Sequence, residues 1–377
     1  MNSKERHEGR YQRRFQKREE KRKRYNARYD DFAVMTDTNN MLEAARLSRK
    51  SVRKKASVQK YTMNMMRNVT ETRQKLENGE DVRQGFIEFT LSERGKTRDI
   101  RAMHMKERVA QRDLCDNILI PVLERSLVYD NGASMKGKGI HFALNRICHQ
   151  FRRYVRTHGT DGYILLVDFT GYFDNIEHEH IREMIEKNFE DERVKALIWD
   201  FVTAFGEKSL GIGSQVSQML AVSYPNAVDH RIKEVHRHGL SGRYMDDSYV
   251  IGETREELDA ILKDCRGQWA KLGITVNEHK TMIVPIRKFT FMKVRFRITD
   301  SGKVLMLPCK ASFKRMRRKI RKFKELIDAG EMTIEYARAS YQSWYGYQQH
   351  FDAHRSLRRM DRYYHDMLGE WPQHKKR

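Results

Sequence analysis

Apolar residues recur along this chain with two spacings, and the spacing separates predicted strands from predicted helices. Residues 163–167 are continuously apolar and run directly into Asp168, which predicts a buried strand ending in an acid. Residues 85–100 alternate apolar and polar positions and turn at residues 93–96, a pattern typical of a β-hairpin with a basic tip. Two short β segments, residues 242–245 and 248–251, flank Asp246-Asp247.

Apolar residues three and four positions apart predict helices through most of the remaining chain. The predicted helices cover residues 40–77, 106–127, 140–154, 175–189, 191–205, 215–235, 256–272 and 332–367. Strands are predicted at residues 281–286 and 290–298. Strands and helices are therefore mixed along the chain.

One predicted helix near the C-terminus is strongly two-sided. Its apolar face contains Phe313, Met316, Ile320, Phe323 and Ile327. Its other face is basic, with Glu325 the single acid between residues 310 and 326. This imbalance favours a helix that packs on the protein and presents cations to a polyanion. The nucleic-acid-binding candidates are Lys314, Arg317, Arg318 and Arg321.

The overall charge supports the same kind of partner. The 377 residues contain 74 Lys plus Arg and 51 Asp plus Glu, a formal net charge of +23, which points to nucleic acid. Residues 1–28 contain twelve cations and four Glu, and they are interpreted either as a solvated tail or as an arm that binds phosphates. No stretch has the length and apolarity of a membrane span or of a secretion signal, so we expect a cytoplasmic protein without membrane partners.

Several common chemistries lack their sequence signature. The four cysteines are far apart with no CxxC pair, which argues against a disulfide framework and a cysteine zinc site. The glycine-rich loop at residues 135–139 lacks the spacing of a Walker P-loop, which argues against an ATPase. The histidines show no HExxH or paired ligand spacing.

Three acids remain as candidates for metal chemistry. Asp168 ends the buried strand, and Asp246 and Asp247 lie in the turn between two short strands. A hairpin packed beside the first strand would bring the three carboxylates together. Two divalent cations held by such carboxylates can stabilise the attacking and leaving oxygens of a phosphoryl transfer.

The residues around these acids resemble the motifs of reverse transcriptases. Residues 167–176 (VDFTGYFDNI) resemble motif A, and Tyr244-Met245-Asp246-Asp247 resembles the YxDD box of motif C. Between them, residues 211–218 (GIGSQVSQ) resemble motif B, and residues 272–281 resemble motif D. Upstream, residues 96–100 and 106–108 are similar to the basic finger segments. The resemblance spans about residues 85–300, with the motifs in the expected order.

The resemblance implies a role for each matching residue. Asp168 and Asp246 would bind two Mg²⁺ ions, which Mn²⁺ can replace, with Asp247 and the Phe169 carbonyl completing the metal site. Lys280 would protonate the departing pyrophosphate; an ordinary solvated lysine is the alternative. The residues expected to contact the incoming nucleotide or the template are Lys96, Arg98, Arg108, Phe173, Ser217 and Gln218. Phe173 is placed to exclude a 2′-hydroxyl, or is an ordinary core residue, or both.

The implied architecture is a right-hand polymerase of the mixed α+β class, with a ferredoxin-like palm. We expect a basic N-terminal arm at residues 1–39, fingers at 40–160, the palm with the catalytic acids at 161–310, and a basic helical thumb at 311–377. The implied partners are an RNA template, a DNA or RNA primer and dNTPs. The phosphates of the bound duplex would face the thumb helix.

The form of motif B narrows the subfamily. Ile212, Gly213, Ser217 and Gln218 fill an IGxxxSQ pattern that is similar to diversity-generating retroelement reverse transcriptases, which implies error-prone, mutagenic retrohoming with a basic accessory protein. The primer-grip segment, residues 291–294, departs from the usual FLGY. Three alternatives stay open: a phage-defence reverse transcriptase acting on a structured noncoding RNA, an RNA-dependent RNA polymerase using Asp174, and a catalytically silent RNA-binding scaffold.

Overall fold

The computed structural model describes the backbone of residues 3–93 and 96–373, and the side chains of residues 3–11, 15, 93, 96 and 98 lie outside the described set. Helices and three small sheets alternate irregularly along the chain, which confirms the α+β class. The first eight helices are α1 (Ser3–Asn26), α2 (Phe32–Met35), α3 (Thr38–Ser48), α4 (Ala56–Met63), α5 (Met65–Glu77), α6 (Met105–Leu114), α7 (Ile120–Glu124) and α8 (Ile140–His158). The other eight are α9 (His178–Asn188), α10 (Glu192–Thr203), α11 (Gln215–Ser223), α12 (Asn226–Glu234), α13 (Arg255–Lys271), α14 (Lys310–Asp328), α15 (Ile334–Gln348) and α16 (His354–Leu368).

Nine strands form the three antiparallel sheets. They are β1 (Phe86–Glu93), β2 (Lys96–Met103), β3 (Tyr163–Val167), β4 (Ser241–Tyr244), β5 (Asp247–Gly252), β6 (Met282–Pro285), β7 (Lys288–Phe291), β8 (Val294–Ile298) and β9 (Val304–Pro308). β1 and β2 form a hairpin, and β7, β8 and β9 form a meander. The central sheet has the order β4-β5-β3-β6, so its four strands and intervening helices make a ferredoxin-like βαββαβ unit.

The central sheet is covered on both faces because alternate residues of β3 enter different cores. Leu165 and Val167 pack with the helices that lie before and after β3, in the largest apolar cluster. Ile164 and Leu166 face a second cluster formed with α8 and the β7-β8-β9 sheet. This burial on both faces explains why β3 is continuously apolar. It also holds the C-terminal end of the strand in a fixed position.

The last three helices form a smaller unit with its own core. Met316 and Ile320 of α14 pack against Tyr341, Met360 and Tyr364 of α15 and α16. The apolar face predicted for residues 313–327 is thus confirmed in its central part. No helix in the described part of the chain is long and apolar enough to span a membrane.

Several predicted boundaries were wrong for local reasons. The single helix expected at 215–235 is two helices, α11 and α12, because Pro225 lacks the N–H that a continuous helix needs. The strand expected at 290–298 is two strands that turn at Met292-Lys293. The helix expected at 106–127 contains a π-helical segment, Cys115–Leu119, and the segment 332–367 is divided into α15 and α16.

Three of the four cysteines are buried and one is partly exposed. Burial raises the pKa of the Cys115 and Cys148 thiols, and it raises that of Cys265 to about 12. Cys309 is partly exposed and immediately precedes α14. None of the four forms a disulfide.

Candidate active site

The pairing of β3 with β5 brings the three predicted acids to one edge of the central sheet. Val167 is opposite Ser248, so Asp168 follows β3 at the point where Asp247 begins β5. Tyr244 pairs with Asp247, which leaves Met245 and Asp246 as a two-residue turn between β4 and β5. The expectation that the hairpin lies beside the first strand is confirmed. Carboxylates from two separate strand ends therefore share one location.

The charges at this location act on one another. The pKa of Asp247 is raised to about 7, first by burial and then by the negative charges of Asp246 and Asp168. Lys280 and Lys293 act in the opposite direction and lower it. The sheet edge is therefore a place where negative charge is concentrated and two lysines partly compensate it.

Lys280 contacts Asp168 directly. Its Nζ lies 2.6 Å from Oδ1 and 2.8 Å from Oδ2 of the Asp168 carboxylate. The backbone of the same loop also fixes Asp168: the Asn277 N–H donates to the Asp168 carbonyl at 2.8 Å. The Asp168 N–H donates to Thr281 Oγ1 at 3.4 Å. The segment that resembles motif D therefore holds the segment that resembles motif A.

The donor set fits a hard divalent cation by its chemistry. All three acids offer carboxylate oxygens, which Mg²⁺ and Mn²⁺ prefer. Burial, and after it the charges of Asp246 and Asp168, raise the pKa of Asp247, and a cation would offset both effects. In this structure the Lys280 ammonium forms a salt bridge with the Asp168 carboxylate and neutralises its negative charge. Among the described residues, no three His, Cys, Asp or Glu side chains are grouped as a ready-made metal site. Lys280 and a bound cation would therefore share the Asp168 oxygens or compete for them.

Two aromatic residues beside Asp168 differ in burial. The Phe169 ring is 3% exposed and packs against Trp269, with the ring centroids 5.2 Å apart. Phe173 is partly exposed; its ring lies edge-on to Tyr172 at 5.8 Å, and its carbonyl accepts from the Leu210 N–H at 2.9 Å. Phe173 is therefore a core residue on one side with a surface free on the other. The roles predicted for the Phe169 carbonyl and for the Phe173 ring stay predictions.

The loop that resembles motif B is fixed by Ser214 and Gly213. Ser214 caps α11, accepting from the Ser217 N–H at 3.1 Å and donating to Gln111 Oε1 at 3.0 Å. Gly213 has φ +119°, and a Cβ there would lie 3.1 Å from the Arg101 carbonyl oxygen of β2. A side chain at position 213 would thus be disfavoured both by backbone conformation and by space. The loop is held against the β1-β2 hairpin.

A cavity lies between this loop and α6. Two of the predicted nucleotide contacts line this cavity, and a third does not. Arg108 and Gln218 are exposed and line the cavity together with Gly213. Ser217 is fully buried, and its hydroxyl has no hydrogen-bond partner among the described residues. Gln218 is therefore the member of the Ser-Gln pair that is open to a nucleotide. The contact predicted for Ser217 stays a prediction.

The remaining candidates lie on the hairpin and on the C-terminal helices. Lys96 and Arg98 belong to β2, but their side chains lie outside the described residues. Lys314, Arg317, Arg318 and Arg321 are all exposed on α14, opposite its buried side. Arg317 also lies over the Tyr363 ring at 5.7 Å.

Two features near the acids were missed from the sequence. Arg243 of β4 is 3% exposed and lies directly before the YxDD segment. Its signal was a cation inside a short predicted strand, between Gly242 and Tyr244. The second feature is the Met292-Lys293 turn, where both residues have left-handed φ values of +48° and +63°. Lys293 brings positive charge toward Asp247 from this turn.

Comparison with known proteins gives a match to a family model and matches to solved structures. Residues 92–296, more than half of the chain, match the family model described as reverse transcriptase (RNA-dependent DNA polymerase). Among solved structures, a truncated apo telomerase from Candida tropicalis matches with a TM-score of 0.43 and 15% identity. That match covers 59% of this chain and 54% of the telomerase chain, so this chain spans about half of its length. No curated protein sequence matches significantly.

Proposed function

The chain belongs to the reverse transcriptase family of RNA-dependent DNA polymerases, and we propose that it extends a primer with deoxynucleotides on an RNA template at the β3-β5 sheet edge. The observation that supports this proposal is the register that brings Asp168, Asp246 and Asp247 together. Divalent metal ions serve this family, and we propose two Mg²⁺, replaceable by Mn²⁺. Their chemistry would be to neutralise charge on the transferring phosphoryl group.

Each proposed role follows from a position already described. Asp168, Asp246 and Asp247 would hold the metal ions, and the Phe169 carbonyl would be a further ligand. Lys280, whose ammonium contacts the Asp168 carboxylate, would donate its proton to the leaving pyrophosphate. The contact of its ammonium with both Asp168 oxygens supports this proposal.

The substrate contacts are proposed for residues of the β1-β2 hairpin, α6, α11 and α14 and for Phe173. Lys96, Arg98 and Arg108 bind the triphosphate of the incoming nucleotide, since guanidinium and ammonium groups pair well with phosphate oxygens. Gln218 contacts the base pair being formed, and the buried Ser217 would join this contact only if the loop moved. Phe173 excludes a ribose 2′-hydroxyl. Lys314, Arg317, Arg318 and Arg321 of α14 bind duplex phosphates. In this scheme residues 40–160 are the fingers, 161–310 the palm and 311–377 the thumb.

The first test compares wild type with Asp246→Asn in primer extension on a defined RNA template. We expect loss of at least about 10³-fold in kcat, because metal-ion stabilisation contributes several kcal/mol. Asp259→Asn is the matched control, since it makes the same chemical change at an exposed position of α13. Equal extension by wild type and Asp246→Asn would contradict the proposed site. RNA binding without any DNA synthesis would favour a silent scaffold.

A second test concerns sugar selection by Phe173. Phe173→Ala should raise the use of ribonucleotides relative to deoxynucleotides, because the partly exposed ring would no longer occupy the space of the 2′-hydroxyl. Competing dNTPs and rNTPs on one template give the ratio directly. A wild-type enzyme that prefers rNTPs would instead support an RNA polymerase, and an unchanged ratio would leave Phe173 with its packing role alone.

For the biological role, we propose error-prone, mutagenic retrohoming of a diversity-generating retroelement. The support is the IGxxxSQ sequence of motif B and the exposed position of Ile212, which is 40% exposed beside Gly213. Sequencing cDNA made from the co-purifying RNA should show errors concentrated at template adenines. Faithful or repetitive cDNA from one structured noncoding RNA would favour phage defence, and an accessory protein would be sought by co-purification.

A further inference from the structure

The turn that carries Asp246 contains a strained residue. Tyr244 pairs with Asp247, and the two residues between them make the tightest connection that a β-hairpin allows. Met245, the first of the two, has φ +54°. The left-handed region disfavours an L residue with a side chain by roughly 1–2 kcal/mol, and glycine is usual at this position. Some other contact must therefore stabilise Met245 in this conformation.

The contact comes from Arg243, two residues earlier. Its guanidinium Nη1 donates to the Met245 carbonyl at 3.1 Å. Nη2 donates to the Val222 carbonyl at 2.7 Å, at the C-terminal end of α11. Nε and Nη2 both donate to the Asp229 carboxylate of α12, at distances of 2.6 to 3.0 Å. One planar group thus joins two helices to the turn.

Backbone hydrogen bonds also fix the main chain of Arg243, from which the guanidinium extends. The Arg243 N–H donates to the Asp130 carbonyl at 3.2 Å, and the Arg243 carbonyl accepts from the Gly132 N–H at 2.9 Å. Arg243 is 3% exposed and Asp229 is 8% exposed, so the pair is buried. A buried ion pair adds little to the free energy of unfolding, because the cost of desolvation offsets the attraction of the charges. The several directed hydrogen bonds of the Arg243 guanidinium instead define its geometry. A lysine has no planar fork and could not serve all three partners in this way.

We propose that Arg243 is a positioning residue that keeps Met245 left-handed and thereby keeps Asp246 beside Asp168 and Asp247. The inference rests on the proposed function in one respect, that Asp246 is a metal ligand. Arg243 touches no reacting atom. It acts through the Met245 carbonyl, and Asp229 acts through Arg243 by holding the guanidinium in place.

A double-mutant cycle separates this role from that of an ordinary core ion pair. The variants are Arg243→Lys, Met245→Gly and the two combined. Glycine adopts a positive φ without steric cost, so the turn with glycine depends less on the Arg243 donor. If Arg243 only stabilises the core, Met245→Gly cannot compensate for Arg243→Lys. The activity of the double variant will then equal the product of the two single-variant effects.

The two readouts are primer extension and Mn²⁺ affinity measured by electron paramagnetic resonance. We expect Arg243→Lys to lower kcat about 10- to 100-fold with a small change in the KM for dNTP, as for a misplaced catalytic group. We expect a parallel loss in Mn²⁺ affinity. In the Arg243→Lys background, Met245→Gly should raise both kcat and the Mn²⁺ affinity at least about fivefold, which corresponds to a coupling energy of roughly 1 kcal/mol. Independent effects in both assays, or no effect of Arg243→Lys, would overturn the proposal.

A second pair of variants applies if Arg243→Lys does not fold. Arg243→Gln combined with Asp229→Asn removes both charges together, so that no unpaired charge is left buried. The same rescue by Met245→Gly is expected on this background, and its absence would again overturn the proposal. If wild type makes no DNA, the proposed function fails, but the Mn²⁺ cycle still tests the positioning role.

Discussion

The two basic helices, α1 and α14, have similar charge and very different attachment. Among the described side chains of α1, only Asn26 is buried, and its amide donates to the Asn188 carbonyl at 2.9 Å. Arg125 lies over the Tyr25 ring at 4.2 Å, at the same end of the helix. α14 instead buries Met316, Ile320 and Phe323 along its length.

This difference predicts different contributions to nucleic-acid binding. A helix held along one face presents its cations at fixed positions and can set the path of a duplex. A helix whose buried side chain, among those described, lies only in its last turn adds attraction and gives the duplex a less defined path. Charge alone, which the sequence shows equally well for both, does not distinguish these cases.

Removing charge from α14 should have the largest effect. We expect substitution of Lys314, Arg317, Arg318 and Arg321 by Gln to weaken primer–template binding on the order of 10²-fold or more near 0.15 M salt. The slope of log K against log salt should fall by up to about 0.9 for each phosphate that is no longer neutralised. Titration of a labelled duplex at several salt concentrations measures both. An unchanged slope would show that α14 does not touch the duplex.

Loosening the attachment of α14 without changing its charge should have the next largest effect. Ile320 is fully buried, and Ile320→Ala should destabilise the C-terminal helical unit by about 2–5 kcal/mol. Primer–template affinity should fall about tenfold, because the same cations lose their fixed geometry. Leu326→Ala, at a partly exposed position of α14, is the control. Full affinity in a destabilised Ile320→Ala protein would mean that charge suffices.

Removing charge from α1 should have a smaller effect. Arg13, Arg14, Lys17 and Arg18 are all exposed, and their replacement by Gln should raise the KM for primer–template severalfold and leave kcat unchanged. The salt dependence of binding should weaken only slightly, because few phosphates are paired with cations of this helix at any one time. A fall in kcat would contradict the comparison, since it would place α1 in the geometry of the reaction.

Loosening the attachment of α1 should have the smallest effect. Arg125 donates to the Lys21 carbonyl at 3.5 Å in addition to its contact with Tyr25. Arg125→Ala removes both interactions, and a partly exposed cation–π contact is worth about 0.5–1 kcal/mol. Amide hydrogen exchange should become faster in the last turns of α1, with duplex affinity almost unchanged. Unchanged exchange would show that the other contacts of α1, including Asn26 with the Asn188 carbonyl and Lys23 with Glu190, are sufficient to anchor the helix.

The sequence was sufficient where a feature depends on nearby residues. The apolar run ending at Asp168, the hairpin around Asp246 and the two-sided pattern of α14 were each predicted from local spacing, and the structure has the corresponding elements. The ferredoxin-like palm expected from the family resemblance is matched by the strand order of the central sheet.

The features that were missed depend on residues distant in the chain. Arg243 can be buried only because Asp229 approaches it from α12, which no local pattern shows. The contact of Lys280 with Asp168 joins residues 112 positions apart. The turn at Met292-Lys293 lacks the Asn-Gly or Asp-Gly sequence that usually indicates such a turn, so a continuous strand was predicted there.

The distribution of the four thiols offers a practical route to watching the C-terminal unit. Cys115, Cys148 and Cys265 are buried with raised pKa values, so alkylating reagents should reach them slowly. Cys309 is partly exposed and begins the connection into α14. A maleimide dye should therefore label the unaltered chain selectively at this residue. Its fluorescence would report whether α14 changes its environment each time a duplex binds or is released.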